Sequence, residues 1–311
     1  MADPIFWRDK TVLAKPEGTY GVDSTPAAGN AILMTNVSLA PMEGEDVNRN
    51  LEQPYFGASE DIPVGLYCTL TGDVELVGSG TAGDAPGWSP LIRACNVAET
   101  INAGVSVEYD PISAGGESVA IYIPIGPTRH VMLGTRGTFM IKLNAQGIPV
   151  LSFTLSGLFT LPTTETPISP DYSAFQEPQV ATNANTPTFT IGGTDFVLDT
   201  FELNRAGQVS RRLLIGKEEI VVSNSDETAK AVVEAVGLGT YNPYSIAQDR
   251  TKQVIQLVHG TAAGKIVTLD LDRTQQKRVT GFEEKDGVQF WPLDFKVLPT
   301  TGNDQWKMTL T

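Results

Sequence analysis

Val150-Leu151-Ser152-Phe153-Thr154-Leu155-Ser156 sorts cleanly only if the chain is extended: Leu151, Phe153 and Leu155 then share one face, and Ser152, Thr154 and Ser156 the other. Successive side chains of a strand point to opposite sides, so this period of two predicts a half-buried β-strand. The pattern recurs in 70–77, where Leu70, Val74 and Leu76 alternate with Thr71, Asp73 and Glu75, and in 266–271, where Val267, Leu269 and Leu271 alternate with Thr268 and Asp270. Further strands are predicted over 32–39, 105–109, 118–123, 138–143, 196–203, 219–223, 253–258 and 288–297. The 30 glycines and 20 prolines supply the turns that many short strands require. One apolar and one polar face per strand is the mark of antiparallel sheets.

Two short helices are predicted. One spans 89–96, with Pro90 in its first turn, where a missing N–H is harmless. The other spans 226–236: Ser225 caps it, Asp226 and Glu227 occupy the first turn, Ala229, Val232, Val233 and Val236 form the apolar stripe, and Gly237 ends it. Between the halves, residues 161–190 carry Pro162, Pro167, Pro170, Pro178 and Pro187. That proline density excludes a sheet interior and predicts an extended linker, laid along a neighbouring surface. The order of elements on its two sides is similar, so the chain is expected to be mainly β. It would hold two tandem β-sandwich domains, 1–160 and 191–311, each with a short helix.

Composition narrows the function. Residues 1–10 have no apolar run and read as no signal peptide, and no stretch is long and apolar enough for a membrane helix. The formal net charge is -14, with 36 acidic against 22 basic side chains, so tight nucleic-acid binding is not expected. Cys68 and Cys95 read as reduced, packed thiols. Gly78-Ser79-Gly80-Thr81-Ala82-Gly83 has the glycine spacing of a dinucleotide site, but Asp84, Pro86 and Gly87 break the helix that would have to follow and put a negative charge where phosphate would lie. His130 and His259 stand far from any second ligand at metal spacing, and no nucleophile elbow occurs. No catalytic, metal or cofactor residue is therefore assigned.

Two polar excursions stand out. Residues 41–65 are long, without periodicity, and carry Glu45, Asp46, Arg49, Glu52 and the adjacent Tyr55 and Phe56; a long loop with exposed aromatics favours an interface. Residues 204–218 place Arg205, Arg211 and Arg212 in an otherwise acidic chain, and Arg suits bidentate contacts with carboxylates of a neighbouring subunit.

The first excursion also carries a resemblance. Tyr20-Gly21-Val22-Asp23, Pro26, Asn36-Val37, Pro41, Gly44-Glu45, Arg49, Tyr55 and Gly57 resemble the opening of siphophage major tail tube proteins. Gly80-Thr81-Ala82-Gly83, Pro86, Leu91, Ala94-Cys95 and Tyr109-Asp110-Pro111 are similar to the same family's middle. The resemblance covers residues 18–160. It implies a structural virion protein assembled in the host cytoplasm into the phage tail, with tube-like β domains, six per ring. Rings would stack through the 41–65 excursion, and DNA would pass in transit without specific binding. The implied partners are other copies of the chain and the tail terminator, tape measure and distal tail proteins. With two domains per chain, three chains would close a pseudo-sixfold ring; a hexamer with 191–311 as decoration is the alternative. The acidic charge would give a lumen that repels the DNA backbone. The competing class is a β-sandwich module that binds carbohydrate or another surface without catalysis, and a β-rich hydrolase ranks third.

Overall fold

The structure, a computed structural model, describes residues 4–311. In chain order the first half contributes β1 (Val12–Pro16), β2 (Ala31–Ile32), β3 (Thr35–Asn48), β4 (Asp61–Glu75), α1 (Ser89–Arg93), β5 (Val97–Asn102), β6 (Ser106–Pro111), β7 (Val119–Ile125), β8 (Thr128–Asn144) and β9 (Val150–Thr164). The second half contributes β10 (Thr188–Ile191), β11 (Thr194–Asp195), β12 (Leu198–Asn204), β13 (Gly207–Leu214), β14 (Lys217–Ser225) and β15 (Thr228–Glu234). After it come α2 (Pro243–Asp249), β16 (Lys252–His259), β17 (Val267–Gln276), β18 (Glu283–Lys285), β19 (Val288–Val297) and β20 (Lys307–Leu310). The protein is mainly β, and all its strand pairings are antiparallel among the described residues.

Most strands form two facing runs, joined where β17 pairs with β19, and β7 with β1 and β2 extends from β8. The first reads β3-β4-β9-β8-β12-β15-β19-β18. The second reads β5-β6-β20-β17-β16-β10-β11. Each run crosses from one half of the chain to the other, through β8–β12 in the first and β6–β20 in the second. The inner faces meet in one contiguous core. Phe189 of β10 packs edge-on against Phe201 of β12 at 5.7 Å, and Trp306 packs edge-on against Phe139 of β8 at 5.9 Å. Each such side chain fully removed from water contributes about 1.5–3 kcal/mol. Leu151, Phe153 and Leu155 face this core, as the alternation of 150–156 requires.

The predicted helix over 226–236 is instead strand β15. Ala229, Ala231 and Val233 are buried on its inner face and Lys230 points outward. The segment fits periods of 2 and 3.6 almost equally, and long-range pairing with β12 and β19 decides for the strand, where β-branched Val232 and Val233 sit well. Ser225 ends β14 and donates to Glu227 at 2.8 Å rather than capping a helix. The helix of this half is α2: Asn242 accepts from the Tyr244 and Ser245 N–H groups, Pro243 occupies the first turn, and Arg250 closes the end at φ 56°.

The 41–65 excursion is also more ordered than expected. Strand β3 runs to Asn48 and β4 begins at Asp61, so the segment is the far arm of a long hairpin, and only 49–60 is irregular. Register shifts near Ala40, Glu43 and Glu45 bend the arm and break the alternation that would have revealed it. Residues 204–218 likewise belong to a hairpin, β13–β14.

Residues 165–187 form no helix or strand. They are strapped onto their own chain: Phe175 lies against Gly87, Ala181 is buried, and Lys265 Nζ donates to the Glu177 carbonyl at 3.2 Å. His259 anchors the strap, with Nε2 3.1 Å from the Gln179 carbonyl and Nδ1 3.0 Å from Thr186 Oγ1. Donation from Nε2 to the carbonyl leaves Nδ1 to accept the threonine proton, which fits a neutral ring.

Candidate functional site

The β3–β4 arm leaves the body of the protein. Glu45, Asp46, Arg49, Glu52, Tyr55 and Phe56 are all exposed, and Phe56 is fully so. Met42, Val47, Leu51, Ile62 and Val64 add further exposed apolar surface on the same arm. Its internal bonds are polar and local: Arg49 pairs with Glu60, Asn48 Nδ2 donates to Asp61 at 2.6 Å, and the Asn50 N–H donates to the Asn48 side chain at 2.7 Å. A hairpin so held, with apolar side chains exposed on both faces, has the composition of an interaction surface.

The arginines of the second excursion separate. Arg205 is 3% exposed and forms an ion pair with Glu227 of its own chain, so it is a core residue rather than a contact for a neighbouring subunit. Burial lowers its pKa, while Glu227 acts the other way. Arg212 pairs with Glu219 at 2.7 Å, directly across the hairpin. Arg211 lies 4.1 Å from the centre of the Tyr67 ring and donates to Ser156 at 3.2 Å. The partners of Arg205 and Arg211 come from strands distant in sequence, and Glu219 meets Arg212 only through the register of the β13–β14 hairpin.

The β13–β14 arm does not project. It folds across the outer face of the first run, meeting β8 through the Gly207 N–H to Thr138 Oγ1 (2.9 Å), β9 through Arg211, and β4 through Arg211 and through Leu213 beside Gly65. A clamp holds its other strand. Arg136 stacks on Tyr20 at 4.9 Å and donates to the Gly116, Glu117 and Ile220 carbonyls, while the Ile220 N–H donates to Tyr20 Oη at 2.6 Å. Leu214 and Ile215 remain exposed at the tip.

The outer face of the first run carries a ladder of charges. Direct cross-strand neighbours read Glu75, Val150, Lys142, Glu202, Lys230 and Asp294 from β4 to β19. The neighbouring row reads Asp73, Ser152, Met140, Asn204, Thr228 and Lys296. Signs therefore offset one another on this face, whereas the β3–β4 arm is strongly acidic.

No protein-family model matches this chain, and no curated protein matches it in sequence.

The chemistry-bearing residues stay dispersed. Among the described residues, no three of His, Cys, Asp and Glu cluster as metal ligands would. Cys68 and Cys95 are free and buried, and burial pushes the Cys68 thiol up to about 11, so both are held as protonated thiols. The glycines of 78–83 have a packing reason: the Gly80 N–H donates to the Gly264 carbonyl at 3.0 Å, and a Cβ on Gly264 would strike the Gly80 backbone. A cleft of about 410 Å³ lies where the strap passes the β8–β9 turn, lined by Leu143, Ala181, Phe189, Phe196 and Leu198 with Asp195 as its one carboxylate. Thr182 and Thr186 also line it, and the Thr186 hydroxyl is engaged with His259.

Proposed function

We propose that this chain is a structural virion protein, the major tail tube subunit of a siphophage-like tail, acting without catalysis or cofactor. The observation that carries the reading is the shared order within the first run. Strands β3-β4-β9-β8 are followed side by side by β12-β15-β19-β18. In each set a hairpin leads into a short Pro-containing helix, and a later hairpin closes the set. Two copies of one unit, joined edge to edge, are the elements of a ring.

In this reading residues 1–160 and 191–311 are tail-tube-like units and 161–190 links them. The β8–β12 pairing inside one chain is the pattern for the joint between chains, where the free β18 edge of one subunit meets the free β3 edge of the next. Closure removes both edges, which would otherwise invite uncontrolled pairing. Three chains then make a pseudo-sixfold ring, and the Tyr55–Phe56 tip reaches the adjacent ring. The part of the outer face of the first run that the arms leave uncovered, the row from Glu75 through Lys142 to Glu202, would line the channel. Its alternating charges give DNA no continuous basic track to bind, so the duplex slides during ejection.

Negative-stain imaging of the purified chain at high concentration tests the proposal. Rings or tubes with threefold symmetry and two similar lobes per chain are expected. Six full chains per ring would overturn the trimer, and a monomer at every concentration would overturn the tube reading.

A further inference from the structure

Within one chain, the second hairpin arm already shows how such an arm is received. Strand β12 pairs with β8, and its continuation β13 crosses β8, β9 and β4 on their outer side. In the first set, β3 occupies the place of β12, but among the described residues its arm crosses no sheet face of its own chain; only its base, at Gly65, is touched by Leu213 of β13. In the second set, β18, β19 and β15 stand in the order of β8, β9 and β4, and they receive no arm.

We propose that the arm made by residues 43–48 and 61–65 docks across the outer face of β15, β19 and the turn before β18 in a second copy of this chain. The inference rests on the ring reading and adds the receiving surface. Charge selects that surface. The arm carries Glu43, Glu45, Asp46 and Asp61, and its one base, Arg49, is already bound to Glu60. The receiving face carries Lys230, Lys277 and Arg278, all exposed and without an ion pair among the described residues. Lys296 on the same face is bound to Asp226. The acids there are Asp226, already paired with Lys296, and Glu234, Glu283 and Asp294. Lys277 and Arg278 border a cleft of about 330 Å³ with Gln275 and Asp294, open to an incoming side chain. The Tyr55–Phe56 tip lies beyond this contact and stays free for the next ring.

The test uses the full chain. Glu45→Lys with Asp46→Lys, and separately Lys277→Glu with Arg278→Glu, are each expected to raise the concentration needed for ring formation by about tenfold or more. A single chain carrying all four reversals should restore rings, because its basic arm then meets an acidic face in every neighbouring copy. Asp46→Cys with Arg278→Cys should give disulfide-linked multimers under mild oxidation, since the native thiols are buried. Wild-type assembly that neither reversal weakens, with no crosslink between the introduced cysteines, overturns the docking and leaves the ring intact. A wild-type chain that never self-associates overturns the ring and the docking together.

Discussion

Arg211 and Tyr67 join the two hairpins: the guanidinium on β13 lies 4.1 Å from the centre of the ring on β4. The same arginine donates to Ser156, so one side chain pins its arm to two strands of the first half. A partly buried cation–π contact is worth about 0.5–2 kcal/mol. Arg211→Ala should therefore lower stability by about that much and loosen the arm. Limited proteolysis within residues 207–225 should speed up several-fold, and equal cleavage rates would show that the Arg136–Tyr20 clamp alone holds the arm.

The Arg205–Glu227 pair sets up a contrast between single and double substitution. Both side chains are buried, and Ser225 also donates to Glu227. Removing one partner leaves a buried charge and should cost about 3–5 kcal/mol. Arg205→Met with Glu227→Leu removes both charges and should cost less than either single change. Denaturant melts of the three variants provide the comparison, and a double variant weaker than both singles would contradict it.

His259 predicts a loss of stability in mild acid. Burial lowers its folded-state pKa below the ordinary value of 6.5, although the hydrogen bond to Gln179 acts the other way. The unfolded chain therefore takes up the proton first as pH falls. Stability is unaffected above about pH 6.5 and declines below it until the folded-state pKa is passed. Burial shifts His130 in the same direction. Hydrogen-exchange protection across 176–186, taken relative to the intrinsic rate at each pH, should fall as pH drops below about 6.5, and His259→Gln should flatten that dependence.

The charge ladder predicts what happens when one sign is removed. Asp73→Lys, Glu75→Lys and Glu202→Lys together join Lys142 in making the uncovered part of this face basic. Assembled tubes of this variant should retain DNA at low salt and release it steeply as salt rises, as phosphate binding by lysines does. Wild-type tubes should show neither behaviour in a cosedimentation assay. Equal retention by both would mean that this face does not line the channel.

Tyr55 and Phe56 predict an assembly defect without a folding defect. Both are exposed and outside the core. Tyr55→Ser with Phe56→Ser should leave the melting temperature within about 1 °C, since surface changes of this kind stay within about ±0.5 kcal/mol. Rings should still form and fail to stack, which length distributions of imaged tubes would show. Unchanged lengths would move the stacking contact elsewhere.

Much of the architecture was legible in the chain itself, because alternation is a local property. The faces of 150–156, 266–271 and 288–297 follow directly from their side chains, and the exposed aromatic pair at 55–56 needed no pairing information. Ala229 to Val236 could not be settled that way: Ala229, Val232, Val233 and Val236 suit a helix as well as a strand, and only pairing with β12 and β19 decides. The hairpin arms were hidden for a related reason, since bulges in β3 and exposure on both sides erase the alternation that reports a buried face. Arg205, Arg211 and Arg212 looked alike in sequence and are buried, stacked and cross-strand paired respectively. Their fates depend on Glu227 and Tyr67, brought near by long-range packing, and on Glu219, set opposite Arg212 by the hairpin's own register. Where one face alternates cleanly, sequence by itself determined the strand and which side of it would be wet. Tertiary structure alone decided which strands became neighbours, because the free energy that selects register comes from contacts between distant residues.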